Sequence, residues 1–115
     1  MLNKRKGYRV ERKIKLLLMS YGWKVVRSGG SLGEYDLIAF RDGRCIFFQI
    51  KSTNKEKFYY YGYMKEDYAG FPFMLVVDFG RGVTRITIPI KTVTKDGGED
   101  LKSFLESKMS KDSFR

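Results

Sequence analysis

The sequence predicts an α/β domain with a mixed central sheet flanked by helices, and three observations carry that prediction. In residues 35–51, two alternating apolar runs flank Asp42-Gly43, the strongest short-range signal for a β-hairpin. Residues 71–79 (FPFMLVVDF) read as a buried strand with Pro72 at its start. Upstream of both, Val10, Ile14, Leu17, Leu18 and Tyr21 recur at helical spacing and stop at Gly22. A length of 115 residues suits one domain, expected over 1–115 with residues 110–115 as a frayed tail.

Taken in order, residues 3–7 are basic, with Lys4, Arg5 and Lys6 before Gly7 and with Arg9, Arg12, Lys13 and Lys15 following. The amphipathic helix is expected from Tyr8 onward. Glu11, its one acid, lies at the border of the apolar stripe, and an ion pair with Lys15, Lys4 or Arg12 is its plain structural account. Residues 23–27 (WKVVR) form a short β-rich run. The loop at 28–33 (SGGSLG) lacks the Gly-Lys-Ser/Thr of a P-loop. Its small residues admit a phosphate or a second backbone, or simply connect two elements.

A two-residue turn at Asp42-Gly43 sets the hairpin register by counting. Arg41 faces Arg44, Phe40 faces Cys45, Ile38 faces Phe47, and Asp36 faces Gln49 at a non-hydrogen-bonded position. Lys51 lies two residues beyond Gln49, on the same face. A carboxylate, an amide and an ammonium thus converge at the open end. Both faces are otherwise apolar, which predicts a central sheet covered on both sides. Glu34 falls opposite Lys51, so a cross-strand ion pair is the simple expectation for those two.

Residues 52–57 read as a loop. Residues 58–69 (FYYYGYMKEDYA) carry five tyrosines, and their second half reads as a short helix crossing over to a parallel strand at 71–79. These aromatics either stack on unpaired bases or, as is commoner, pack an interface or cover a sheet. A turn at 80–82 leads to an edge strand at 83–90, a linker at 92–98 and an amphipathic helix at 99–109.

Composition narrows the chemistry. The 23 Lys and Arg against 13 Asp and Glu leave a net charge of +10, which points to a polyanionic partner. No apolar segment is long enough to span a membrane, and the lone Cys45 suits a reducing interior, so an intracellular, cytoplasmic protein is expected. Without histidine, and with one cysteine, zinc sites and His- or Cys-based catalysis are excluded. Any metal must be hard and oxygen-bound. Glu11, Asp36 and Gln49 offer two carboxylates and an amide carbonyl, a set suited to Mg²⁺ or Mn²⁺ in phosphodiester hydrolysis, with Lys51 beside it.

The order Glu11, Asp36, Gln49-Ile50-Lys51 resembles the PD-(D/E)XK nuclease superfamily. Within it, KGYRVER (6–12), RSGGSLGEYDLIAF (27–40) and QIKST (49–53) are similar to the archaeal and viral Holliday junction resolvases. The resemblance covers about residues 6–77. It implies a restriction-endonuclease-like core and a homodimer that binds four-way DNA junctions and cuts two strands. It further implies that Glu11, Asp36, Gln49 and the Ile50 backbone carbonyl ligate the metal, with Lys51 as catalytic lysine and Ser31 as loop serine of the site. Arg12 and Arg27 would lie near the scissile phosphate, and Lys4, Arg5, Lys6, Arg9 and Ser31 would join them on DNA. Gln49 replaces the usual glutamate, so weaker metal binding is expected; Tyr35 replaces a proline-like residue. Two other readings stand beside a junction resolvase: another small nuclease of the superfamily, or a DNA-binding module of this fold without catalysis. The aromatic segment 58–73 is the expected dimer face.

Overall fold

The computed structural model describes residues 2–29 and 33–107, with side chains from Gly7 onward. Helix α1 (Leu2–Ser20) begins six residues before Tyr8 and runs through Gly7 without a break. It buries Val10, Ile14 and Leu18, each four residues from the next, while Tyr8 sits outside at 50% exposure. At its end Gly22 N–H donates to Met19 O at 3.0 Å and Trp23 N–H to Leu18 O at 3.2 Å. This paired closure needs a left-handed residue, and Gly22 (φ 91°) supplies it. Arg41 adds a guanidinium N–H to Tyr21 O at 2.7 Å, a cation at the negative end of the helix.

The strands are β1 (Lys24–Arg27), β2 (Leu37–Arg41), β3 (Arg44–Ser52), β4 (Lys57–Tyr59), β5 (Asp67–Tyr68), β6 (Phe71–Gly80), β7 (Val83–Thr87), β8 (Thr92–Thr94) and β9 (Glu99–Asp100), followed by α2 (Leu101–Ser107). The main sheet runs β1-β2-β3-β6-β7-β9, and only β3 and β6 are parallel within it. The hairpin has the expected register, Arg41 opposite Arg44 through Leu37 opposite Phe48. Asp42 (φ 49°) and Gly43 (φ 78°) form its turn with both residues left-handed, as the right-handed strand twist favours.

On one face of the sheet, α1 and α2 cover Leu37, Ala39, Ile46, Phe48, Ile50, Val76 and Ile86. On the other, β4 and β8 carry Tyr60 and Val93 over Leu75, Val77 and Phe79. That second layer reaches only the Gln49 end. At the turn end, Val26 and Phe40 are 51% and 42% exposed, so the sheet is not covered on both sides throughout.

Three further expectations change. No helix joins β3 to β6: the segment supplies β4 and β5, and its tyrosines pack flat on the sheet instead of along a helix stripe. Tyr63 and Tyr68 stack against Phe73, and Tyr68 also against Phe47 and Tyr35. Rings with one glycine among them favour a pleated surface over a helix. The 92–98 linker contains β8, held by pairing with β4. The last helix starts at Leu101, because Glu99 and Asp100 pair with β7.

Phe48 is fully buried at the centre of the larger core. Phe48→Ala should lower stability by about 3–5 kcal/mol, measured by urea unfolding. Tyr60 is 1% exposed and its hydroxyl has no well-formed hydrogen bond among the described residues. Burial pushes its pKa from 10.0 up to about 12. A raised phenol favours the neutral form, so its contribution is full below pH 10 and is lost as pH climbs toward 12. Tyr60→Phe should therefore melt no lower than wild type at pH 7 and lose less stability between pH 10 and 12.

Candidate active site

The site forms where β2 stops and β3 continues. Phe48 faces Leu37 as a hydrogen-bonded pair, so the amide and carbonyl of Ile50, two residues on, point to the same side with no β2 residue opposite. Asp36 fills that place. Its Oδ2 accepts the Ile50 N–H at 2.7 Å and the Gln49 Nε2–H at 2.6 Å. Its own N–H donates to Phe48 O at 2.7 Å, and its carbonyl accepts from Ser28 N at 3.0 Å. The side chain of Asp36 thus completes the ladder that the backbone abandons. Asp36 Oδ1 and Gln49 Oε1 are the oxygens left over, and the Ile50 carbonyl lies on the same edge.

Gln49 is 8% exposed, whereas Lys51, on the same face, is exposed at the end of the strand. Lys51 lines a cleft of about 450 Å³ with Gly7, Val10, Ile50, Ser52, Thr53 and Asn54, between the first turns of α1 and the end of β3. Glu34 does not pair with Lys51; it bonds the Tyr68 hydroxyl, whose pKa rises in consequence.

Glu11 projects from α1 toward the end of β1, and its partner is not on the helix. Oε1 accepts the Nε–H of Arg27 at 2.5 Å, across from the end of β1. The guanidinium lies 5.0 Å from the centre of the Tyr8 ring, a cation–π contact. The bond to Glu11, its charge and, more weakly, the charge of Asp36 hold Arg27 more firmly protonated than usual. Glu11, Arg27 and Asp36 therefore share one electrostatic neighbourhood.

The structure thus brings together Asp36, Gln49 and Ile50 by direct contact, Glu11 with Arg27, and Lys51 in the adjoining cleft. Arg9 and Arg12 are exposed on α1. Ser31 lies outside the described residues, as do the side chains of Lys4, Arg5 and Lys6, although α1 includes their backbone. Tyr8, taken above only as the start of the helix, supports Arg27. Its position a turn before Glu11, beside basic residues, was the one available signal.

Known proteins resemble this chain in sequence and in fold. The family model described as archaeal Holliday junction resolvase (Hjc) matches residues 2–74, from α1 into the first residues of β6. The crossover junction endodeoxyribonuclease Hjc of Methanocaldococcus jannaschii is 49% identical over 55 residues, 48% of this chain and 41% of that protein. The matched stretch spans about two-fifths of that relative. Among solved structures, the Hjc of Archaeoglobus fulgidus, a Holliday junction resolvase, superposes with a TM-score of 0.66 and 15% identity over 88% of this chain and 96% of that one. The bacterial homing endonuclease I-Ssp6803I gives 0.56 and 14% over 79% and 76%. At such identities these two structures speak to the fold, and the fold is the restriction-endonuclease-like core expected above. With more than half its length matched by the family model, the chain belongs to the archaeal Holliday junction resolvase family.

Proposed function

We propose that this chain is a divalent-metal-dependent endonuclease that resolves four-way DNA junctions. The observation that carries the reading is the contact of Asp36 with Gln49 and Ile50 at the open edge of β3, with Lys51 just beyond it. Spare oxygens of Asp36 and Gln49 meet there beside a cleft that Lys51 lines, an arrangement that packing alone does not call for.

The residues fit a hard cation. Glu11, Asp36 Oδ1, Gln49 Oε1 and the Ile50 carbonyl would hold Mg²⁺, or Mn²⁺ in its place, all through oxygen. Among the described residues no three His, Cys, Asp or Glu side chains gather, so water and phosphate would complete the shell. A metal bound there supplies a more acidic water and positive charge for the phosphate oxygens. Lys51 reaches into the cleft, where its ammonium can donate to a non-bridging phosphate oxygen and offset the charge that develops as water attacks. The first turn of α1 leaves its N–H groups without helical partners, and its sequence carries Lys4 and Arg5, with Lys6 next, and no acid. That end of the helix therefore attracts the phosphate backbone.

Two junction arms cut in symmetry suit a homodimer, since a two-fold pair offers two equivalent sites to a two-fold substrate. The exposed turn end of the hairpin supports a meeting face. Ile38, Phe40, Cys45, Phe47 and Phe71 surround an apolar hollow of about 620 Å³, and Val26 extends it. Most rings of 58–73 are used within the chain, which shifts the proposed face toward the hairpin. A nuclease acting on recombination intermediates works inside the cell, in keeping with the single unpaired cysteine.

The decisive experiment is cleavage of a labelled four-way junction beside a linear duplex of the same arms, in Mg²⁺ and in EDTA. Paired nicks in the junction alone, lost in EDTA, are expected. Equal cutting of duplex moves the answer to a general nuclease, and tight binding without cuts to a non-catalytic module. Asp36→Asn keeps an acceptor for the Ile50 amide but loses the ligand charge, so cleavage should fall by roughly 10²–10³-fold while gel-shift affinity holds. Phe40→Asp should shift the protein from dimer to monomer in sedimentation velocity.

A further inference from the structure

Arg27 is bonded to one of the proposed ligands, and this has a thermodynamic consequence. Glu11 Oε1 accepts the Arg27 Nε–H at 2.5 Å, with the carboxylate side chain 18% exposed and the guanidinium side 44%. An oxygen already committed to a guanidinium cannot give the same lone pair to a dication, and the dication repels Arg27. Metal and Arg27 therefore compete for Glu11. A phosphate bound beside Asp36 would sit near Arg27, because Ser28, the next residue, donates its N–H to the Asp36 carbonyl at 3.0 Å. Glu11 takes only one N–H of Arg27, through Nε, whereas the two non-bridging oxygens of a phosphodiester can accept two parallel N–H bonds from the planar guanidinium. Tyr8, half-exposed under the guanidinium, gives it a surface to swing across without leaving the protein.

We propose that Arg27 is a positioning latch that couples the two ligands of this site: it holds Glu11 in the free protein and is drawn off by the DNA phosphate, which opens Glu11 to the metal. The proposal rests on the metal-dependent nuclease reading above. Coupling of this kind is reciprocal, so junction DNA tightens metal binding by the same factor that metal tightens junction binding. The latch also keeps the full ligand set from assembling away from substrate.

The test measures Mn²⁺ affinity by the EPR signal of free Mn²⁺, in a Lys51→Ala background that leaves the junction uncut. Asp36→Asn in the same background defines binding elsewhere. Junction DNA should tighten Asp36-dependent Mn²⁺ binding by about two- to fivefold, the span of a half-exposed ion pair. Arg27→Gln should bind Mn²⁺ more tightly by a similar factor without DNA, and its further gain on adding DNA should be smaller than that of the parent by the same factor. The gain must act through the carboxylate, so it should vanish when Glu11→Gln is combined with Arg27→Gln. Unchanged Mn²⁺ affinity in Arg27→Gln overturns the latch alone, as does a DNA effect that is undiminished there or a gain that survives in Glu11→Gln. Absence of any Asp36-dependent Mn²⁺ binding overturns the metal site itself and the latch with it.

Discussion

Everything at the working end of this protein hangs on one oxygen. Asp36 Oδ2 accepts from the Ile50 amide and from the Gln49 side chain at once, and so ends the β2–β3 ladder with a carboxylate where a carbonyl would otherwise stand. This substitution orients the remaining oxygens of both strands outward, aims the Gln49 amide, and leaves Lys51 free at the strand end. The residue at 49 is part of that logic. Two carboxylates 2.6 Å apart would need a shared proton or a cation between them, whereas a neutral amide donates directly to Asp36. Gln49 thus satisfies Asp36 within the chain, with one negative charge fewer than a glutamate would bring.

The two layers divide the work of holding that edge still. The α1 layer anchors β3 through Ile46, Phe48 and Ile50, while the β4–β8 layer brings Tyr60 down beside the row that carries Gln49. Buried Asp78 ties α1 to the central sheet from the far side, accepting from Lys13 Nζ at 3.2 Å, Gly80 N at 3.0 Å and Thr84 Oγ1 at 3.4 Å. This carboxylate is surrounded by donors and turned to structure, which distinguishes it from Asp36, whose second oxygen remains open.

What was legible in the sequence was local. The hairpin followed from Asp42-Gly43 and strict alternation, so its register and the Asp36–Gln49 contact could be counted from the turn. The partner of Glu11 could not be, because Arg27 is sixteen residues away on another element, and nearer cations on the helix competed for the same expectation. The missing crossover helix has a similar cause: 58–69 contains helix formers such as Met64, Lys65 and Glu66, but the rings of Tyr63 and Tyr68 gain more by packing on Phe73. The hairpin's uncovered end misled for another reason. An apolar face in sequence says that something covers it and leaves open whether the cover belongs to the same chain.

The pairing of β3 with β6 joins residues such as Phe47 and Phe73, separated by 26 positions, and no helix spans the gap. A crossover helix would shorten the connecting chain before the strands meet; here an irregular, tyrosine-rich segment must be closed by diffusion, against its full loop entropy. The local units, α1 and the β2–β3 hairpin, need no such closure and form early. Docking of β6 is then the slow event of folding, the step that topology makes rate-limiting. Until it occurs, β3 exposes a long apolar edge, and the net charge of +10 opposes its pairing with a second chain.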